Sequence, residues 1–207
     1  KNRRVYIYIN DINMQESITK SKVIFMSKVF LLFFVQILVM YLSHNYSSYY
    51  SDELNKNKLI VFTLFVSVLV GLDIVRYRYP NPRLKMMLLL TLPIFFGIML
   101  SNIQHLDEVL VEVMFIFAIL CSVGYASSMY KIDLYKFGSI LSSILLMLIV
   151  YRIFNTSSTY IHIIGLLFSL LIIVDTYNFL NKKYEGNFMN ASMDYFIDVF
   201  ELIHWME

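Results

Sequence analysis

Two aspartates interrupt apolar stretches in the last third of the chain. Asp175 stands in Leu170-Leu171-Ile172-Ile173-Val174-Asp175-Thr176-Tyr177, and Asp198 in Met193-Asp194-Tyr195-Phe196-Ile197-Asp198-Val199-Phe200-Glu201. An ionisable side chain in an apolar helix is costly to keep there and is a functional candidate for that reason. Two carboxylates about 4 Å apart repel by roughly 4 kcal/mol at an effective dielectric near 20. Such a pair shares one proton near neutral pH and titrates as a unit, which makes it a pH-sensitive latch or a cation site. The competing reading gives each aspartate a separate cap or basic partner. Asp194, Asp198 and Glu201 follow i, i+4, i+7 spacing and share one helical face. That stripe suits a cation path, or else the wet face of a short surface helix.

Basic groups that could close the pair are Arg76, Arg83 and Lys85, each able to make a charge-assisted hydrogen bond to a carboxylate. The plainer reading is that they only obey the charge bias of membrane loops, and that Asp73 pairs with Arg76 one turn away. Lys28, Gln36, Glu112 and Arg152 are the remaining polar residues in or near the apolar runs, with Glu112 either at a pore mouth or snorkelling to the interface. His44, His105, His162 and His204 lack metal-ligand spacing, and interfacial roles are expected for them. No Gly-x-Ser-x-Gly or His-Glu-x-x-His arrangement occurs, so no enzyme is expected. The single cysteine, Cys121, excludes an internal disulfide and reads as a small packing residue.

The elements that must hold these acids are membrane helices. With 207 residues, 58% hydrophobic, 16% aromatic and a mean hydropathy of +0.64, the chain is too apolar for a soluble domain of its size. Apolar segments cover 23–42, 59–75, 86–103, 109–129, 134–153 and 160–180, each near the roughly 17–25 residues that a span needs. A seventh segment, 191–206, is shorter and carries Asp194, Asp198, Glu201 and His204. It should therefore sit inside the bundle or fold back as a partial span. The expected fold is an all-α polytopic bundle of six transmembrane helices plus a shorter central seventh, one domain over 23–207 behind a polar tail at 1–22. Pro93 should kink the third helix, and Pro80 and Pro82 should stiffen the loop before it. Small residues four apart, Gly138 with Ser142, Ser139 with Ser143 and Gly165 with Ser169, could let backbones approach closely.

Charge alternates between the loops. Lys1, Arg3, Arg4, Lys20 and Lys22 precede the first segment; Arg76, Arg78, Arg83 and Lys85 surround the second loop; Lys131 and Lys136 the fourth; Lys182 and Lys183 the sixth. The third loop has only Asp107 and Glu108, and the fifth has no charge. The positive-inside rule then puts the N-terminal tail in the cytosol, and the tail lacks the apolar core of a signal peptide. Two sequons, Asn45-Tyr46-Ser47 and Asn155-Thr156-Ser157, fall on the other side, while Asn190-Ala191-Ser192 is assigned to the cytosol. Helical rise sets Asp175 about 10 Å from the sixth loop and Asp198 about 12 Å from it, at nearly one depth. The net charge of +2 offers no surface for nucleic acid.

These acidic segments resemble the Bax inhibitor family, the transmembrane Bax-inhibitor-motif proteins. Val174-Asp175-Thr176-Tyr177 is similar to that family's aromatic-Asp-Thr-Gln segment, and Met193-Asp194-Tyr195-Phe196-Ile197-Asp198-Val199-Phe200 to its last-helix pattern. Weaker likeness extends over Ser27-Lys28-Val29-Phe30, Arg83-Leu84, Ser128-Met129-Tyr130 and Phe137-Gly138-Ser139-Ile140-Leu141. The resemblance implies a pH-sensitive calcium leak that suppresses apoptosis at the endoplasmic reticulum or Golgi. It casts Asp175 and Asp198 as the proton- and calcium-sensing pair, and as the pair that contacts the metal. It also implies calcium as a permeant or regulatory ion rather than a tightly bound cofactor, and the bilayer, protons and membrane cell-death regulators as partners. The alternative is a non-conducting anti-apoptotic protein that acts through such partners. Tyr177 stands where the family has glutamine, and no basic tail follows Trp205-Met206-Glu207. The Lys, Asn, Ile, Tyr and Phe bias is that of an AT-rich genome, viral genomes included.

Overall fold

The computed structural model describes residues 2–50, 53, 56–77, 81–103, 105–130, 132–154, 159–181 and 187–206. The side chains of Asp73, Arg76, Arg152, His162 and His204 and the sequon at 155–157 lie outside the described residues. Among those described there are helices and turns but no strand. The helices are α1 (Asn2–Ser48), α2 (Lys58–Tyr77), α3 (Pro82–Met99), α4 (Leu106–Met129), α5 (Tyr135–Phe154), α6 (Thr159–Leu180) and α7 (Phe188–Met206).

Local chemistry accounts for the boundaries. No glycine or proline occurs between Asn2 and Ser48, so nothing breaks the backbone and α1 runs on through the expected polar tail. The helix also carries on past residue 42, which puts Asn45-Tyr46-Ser47 in its last turn rather than in a loop. Ser47 is buried there and its hydroxyl donates to the carbonyls of His44 and Gly97, so this sequon is no longer a loop acceptor. The third helix starts four residues before the expected 86 because Asn81 caps it: its side chain accepts from the backbone N–H groups of Arg83 and Leu84, and Pro82 takes the first helical position. Pro82 thus opens a helix instead of stiffening a loop, and α3 continues through the buried Pro93. Asp107 and Glu108, expected in a loop, form the first turn of α4, where carboxylates meet the positive end of the helix dipole. His105 before them adopts a left-handed backbone, φ 61°.

Four helical stretches are long and apolar enough to cross a membrane: Ser21–Ser48, Pro82–Met99, Leu106–Met129 and Ile163–Leu180. The described apolar runs of α2 and α5, Leu59–Leu72 and Lys136–Leu145, are shorter. The described residues are thus those of an all-helical, multi-pass membrane protein by length and composition, with four such spans among them.

Packing is built around α7. Among the described residues it meets α1, α3, α4 and α6, while α2 packs only on α3 and α5 only on α6. From Phe188 to Ile203 no residue of α7 is exposed. The fully buried Tyr195 ring stacks on Phe30 at 5.9 Å and meets Phe117 edge-on at 5.0 Å and Phe179 at 4.7 Å, so one side chain joins α1, α4, α6 and α7. Lipid tails are as apolar as leucine, so such helices associate through close fit more than through solvent exclusion. Gly124 supplies one close fit: a Cβ there would stand 2.6 Å from the Ile173 carbonyl and 2.6 Å from Thr176 Cβ, across the α4–α6 contact. Gly97 does the same between α3 and α1, against Ser43 Cβ at 2.7 Å. Of the expected small-residue pairs, Gly138 lies against Val174, whereas the Ser169 hydroxyl turns back to its own helix at Gly165.

Candidate functional site

Asp198 is buried and Asp175 half-buried, on two helices that pack against each other. A hydrogen bond of 2.6 Å between the hydroxyls of Thr176 and Tyr195 pins α6 to α7. Thr176 directly follows Asp175, and Tyr195 precedes Asp198 by three residues, so on these antiparallel helices both acids lie within about one turn of the pin, on the same side of it. Thr176 also donates to the Ile172 carbonyl of its own helix when its hydroxyl accepts from Tyr195, which satisfies both buried hydroxyls. Asp175 lies near the Tyr195 hydroxyl, and Asp198 near the Cys121 thiol. Cys121 is buried, in keeping with a packing role.

Asp194 and Glu201 are half-buried on the helical face of Asp198. The same spacing carried back one turn reaches Asn190, and there the Lys85 ammonium of α3 donates to the Asn190 carboxamide oxygen. The basic end of α3 thus reaches the beginning of the acidic stripe. Asp175, Asp194, Asp198, Glu201 and Lys85 each have further polar or electrostatic contacts. Of the expected latch residues, Arg83 is exposed in the first turn of α3, and the Arg76 side chain lies outside the described residues.

A second buried polar contact joins α7 to α1. Gln36 and Ser192 are both fully buried, and the serine hydroxyl donates to Gln36 Oε1 at 2.6 Å. Gln36 Nε2 has no hydrogen-bond partner among the described residues. His44 is buried near the end of α1 against α3, where Gly97 lets the two backbones close over it. His105 and Glu112 are exposed.

Two carboxylates supply four oxygens, whereas a resident calcium ion takes about 6–8. Among the described residues no three His, Cys, Asp or Glu side chains converge on one point.

The residues that sequence reasoning missed are Thr176 and Tyr195 as a cross-helix pin, Asn190 as the partner of Lys85, and Ser192 as the partner of Gln36. Polar residues in apolar segments were the available signal, but pairing them requires knowing which helices touch. Compared with models of protein families, with curated proteins and with solved structures, the chain matches none of them.

Proposed function

We propose that this protein is a pH-sensitive cation leak of intracellular membranes, with calcium as the permeant ion and Asp175 and Asp198 as the gating pair. The observation that carries the reading is a carboxylate, Asp198, buried on a helix with no exposed residue from Phe188 to Ile203. Its companion acid is on the neighbouring helix, within about one turn of the same Thr176–Tyr195 contact. Carboxylates in such a place are expensive, and ion or proton pathways are where membrane proteins keep them. At low pH the pair holds a proton and the site is neutral. As pH rises the proton leaves, the second negative charge destabilises the closed packing of α6 on α7, and the acidic stripe Asp194, Asp198 and Glu201 offers successive stations to a cation. Lys85 holds the beginning of that stripe through Asn190 and acts as the latch of the closed form, with Arg76 or Arg83 as an alternative.

The likeness of the two acidic segments to the Bax inhibitor family extends this reading to suppression of apoptosis at the endoplasmic reticulum or Golgi, with the N-terminus cytosolic. Calcium flux into proteoliposomes across a pH series tests it. Flux that rises with pH, and that Asp175→Asn and Asp198→Asn hold low, supports a gated leak. Absence of flux with cell-death protection intact in both variants favours the non-conducting alternative, which acts through membrane protein partners.

A further inference from the structure

The bundle has an opening in its side. Among the described residues the backbones of α1 and α4 do not meet, although each packs on α6 and α7. Between them lies a cavity of about 650 Å³, within the roughly 300–1,000 Å³ of small-molecule sites. Its walls are apolar and aromatic, with the buried Thr176 at its floor. Val23, Phe34 and Tyr125 on its rim are exposed, so it opens outward.

Its dimensions are those of one leaflet. The lining runs from Val23 to Phe34 on α1 and from Met114 to Tyr125 on α4. Eleven residues of helix rise about 16 Å, roughly half of the ~30 Å hydrocarbon thickness. The two helices run antiparallel here, since Phe33 meets Phe117 and Lys22 is linked to Ser128. That link closes one end of the groove: the Lys22 ammonium donates to the Asn181 Oδ1 at 3.4 Å, and Asn181 Nδ2 donates to Ser128 Oγ at 3.1 Å. The partner of Lys22 is a neutral amide, and no carboxylate among the described residues neutralises its charge.

An apolar slot one leaflet deep with a cation at its interfacial end has the complementarity of an anionic amphiphile. We propose that the α1–α4 groove binds one acyl chain of an anionic phospholipid, with the phosphate at Lys22 and the chain directed toward Phe34. The proposal goes beyond the leak and does not depend on it.

The test uses the full chain in nanodiscs with phosphatidylserine or phosphatidylcholine carrying a photoactivatable acyl chain, and maps adducts by mass spectrometry. Adducts should concentrate on α1 and α4 groove residues. Phosphatidylserine should be preferred by about fivefold, the ~1 kcal/mol that one lysine near a membrane surface contributes, and Lys22→Gln should abolish the preference. Ala118→Trp should fill the slot and remove most of the labelling, with Ser122→Trp as a second filler in case the first fails to fold. Leu166→Trp, on the exposed face of α6, should leave labelling unchanged. Labelling spread evenly over the bundle, survival of labelling in both fillers, equal use of the two lipids, displacement by free fatty acid as readily as by phosphatidylserine, or adducts joining two copies of the chain would each overturn the proposal.

Discussion

Tyr195 does work at the centre of the bundle that phenylalanine could do only in part. Its ring fills the space among Phe30, Phe117 and Phe179, and its hydroxyl pins α7 to Thr176. Tyr195→Phe keeps the ring and loses the pin, which should cost about 0.5–1.5 kcal/mol, read as a lower melting temperature in detergent. Ser192→Ala should cost more, about 1–3 kcal/mol, because it strands the buried Gln36 Oε1 beside an Nε2 that already lacks a partner among the described residues. Restoring stability by adding Gln36→Met would show that the stranded amide, not lost packing, is the cause. Asp175 and Asp198 stood out in the sequence because a charge in an apolar run is visible without any structure. The pins did not, since hydroxyls and amides are common in membrane helices and a single sequence does not say which of them meet.

At the level of elements, α7 is the helix everything else encloses. Its acids made that legible, because three carboxylates on a short segment could not face lipid, and the structure leaves none of its residues from Phe188 to Ile203 exposed. In a Cys121→Ala background, Val199→Cys should resist a lipid-soluble maleimide while Phe115→Cys on the open face of α4 reacts; equal rates would mean that α7 has a lipid-facing side. Gly124 sets how close α4 comes to α6, and thus where Thr176 sits. Gly124→Leu should cost about 1–3 kcal/mol by overpacking and should weaken the Thr176–Tyr195 pin with it. Helix ends were less legible. The Asn81-Pro82 start of α3 was written in the sequence as a capping residue followed by proline, yet hydropathy alone placed the boundary four residues late. The backward extension of α1 carries no apolar run long enough to span, and what permits it is the lack of a residue that breaks helices.

Across the whole molecule, the packing order puts the acidic helix inside the bundle. Arg83 at the start of α3 and Glu108 at the start of α4 are both exposed and belong to opposite ends of adjacent spans. Arg83→Cys and Glu108→Cys should therefore react with a membrane-impermeant reagent from opposite sides of a sealed vesicle, with Arg83→Cys on the side of the N-terminus; labelling of both from one side would break the assigned topology. The central claim is that Asp175 and Asp198 act as one titrating unit, and coupled residues betray themselves by failing to add. Calcium flux by the purified protein in proteoliposomes, measured across a pH series for the native chain, Asp175→Asn, Asp198→Asn and the double variant, tests this most directly. The predicted result is a native flux that rises with pH, a flat low profile in each single variant, and no further loss in the double. Independent, additive effects of the two substitutions, or a native pH profile retained in either one, would contradict it.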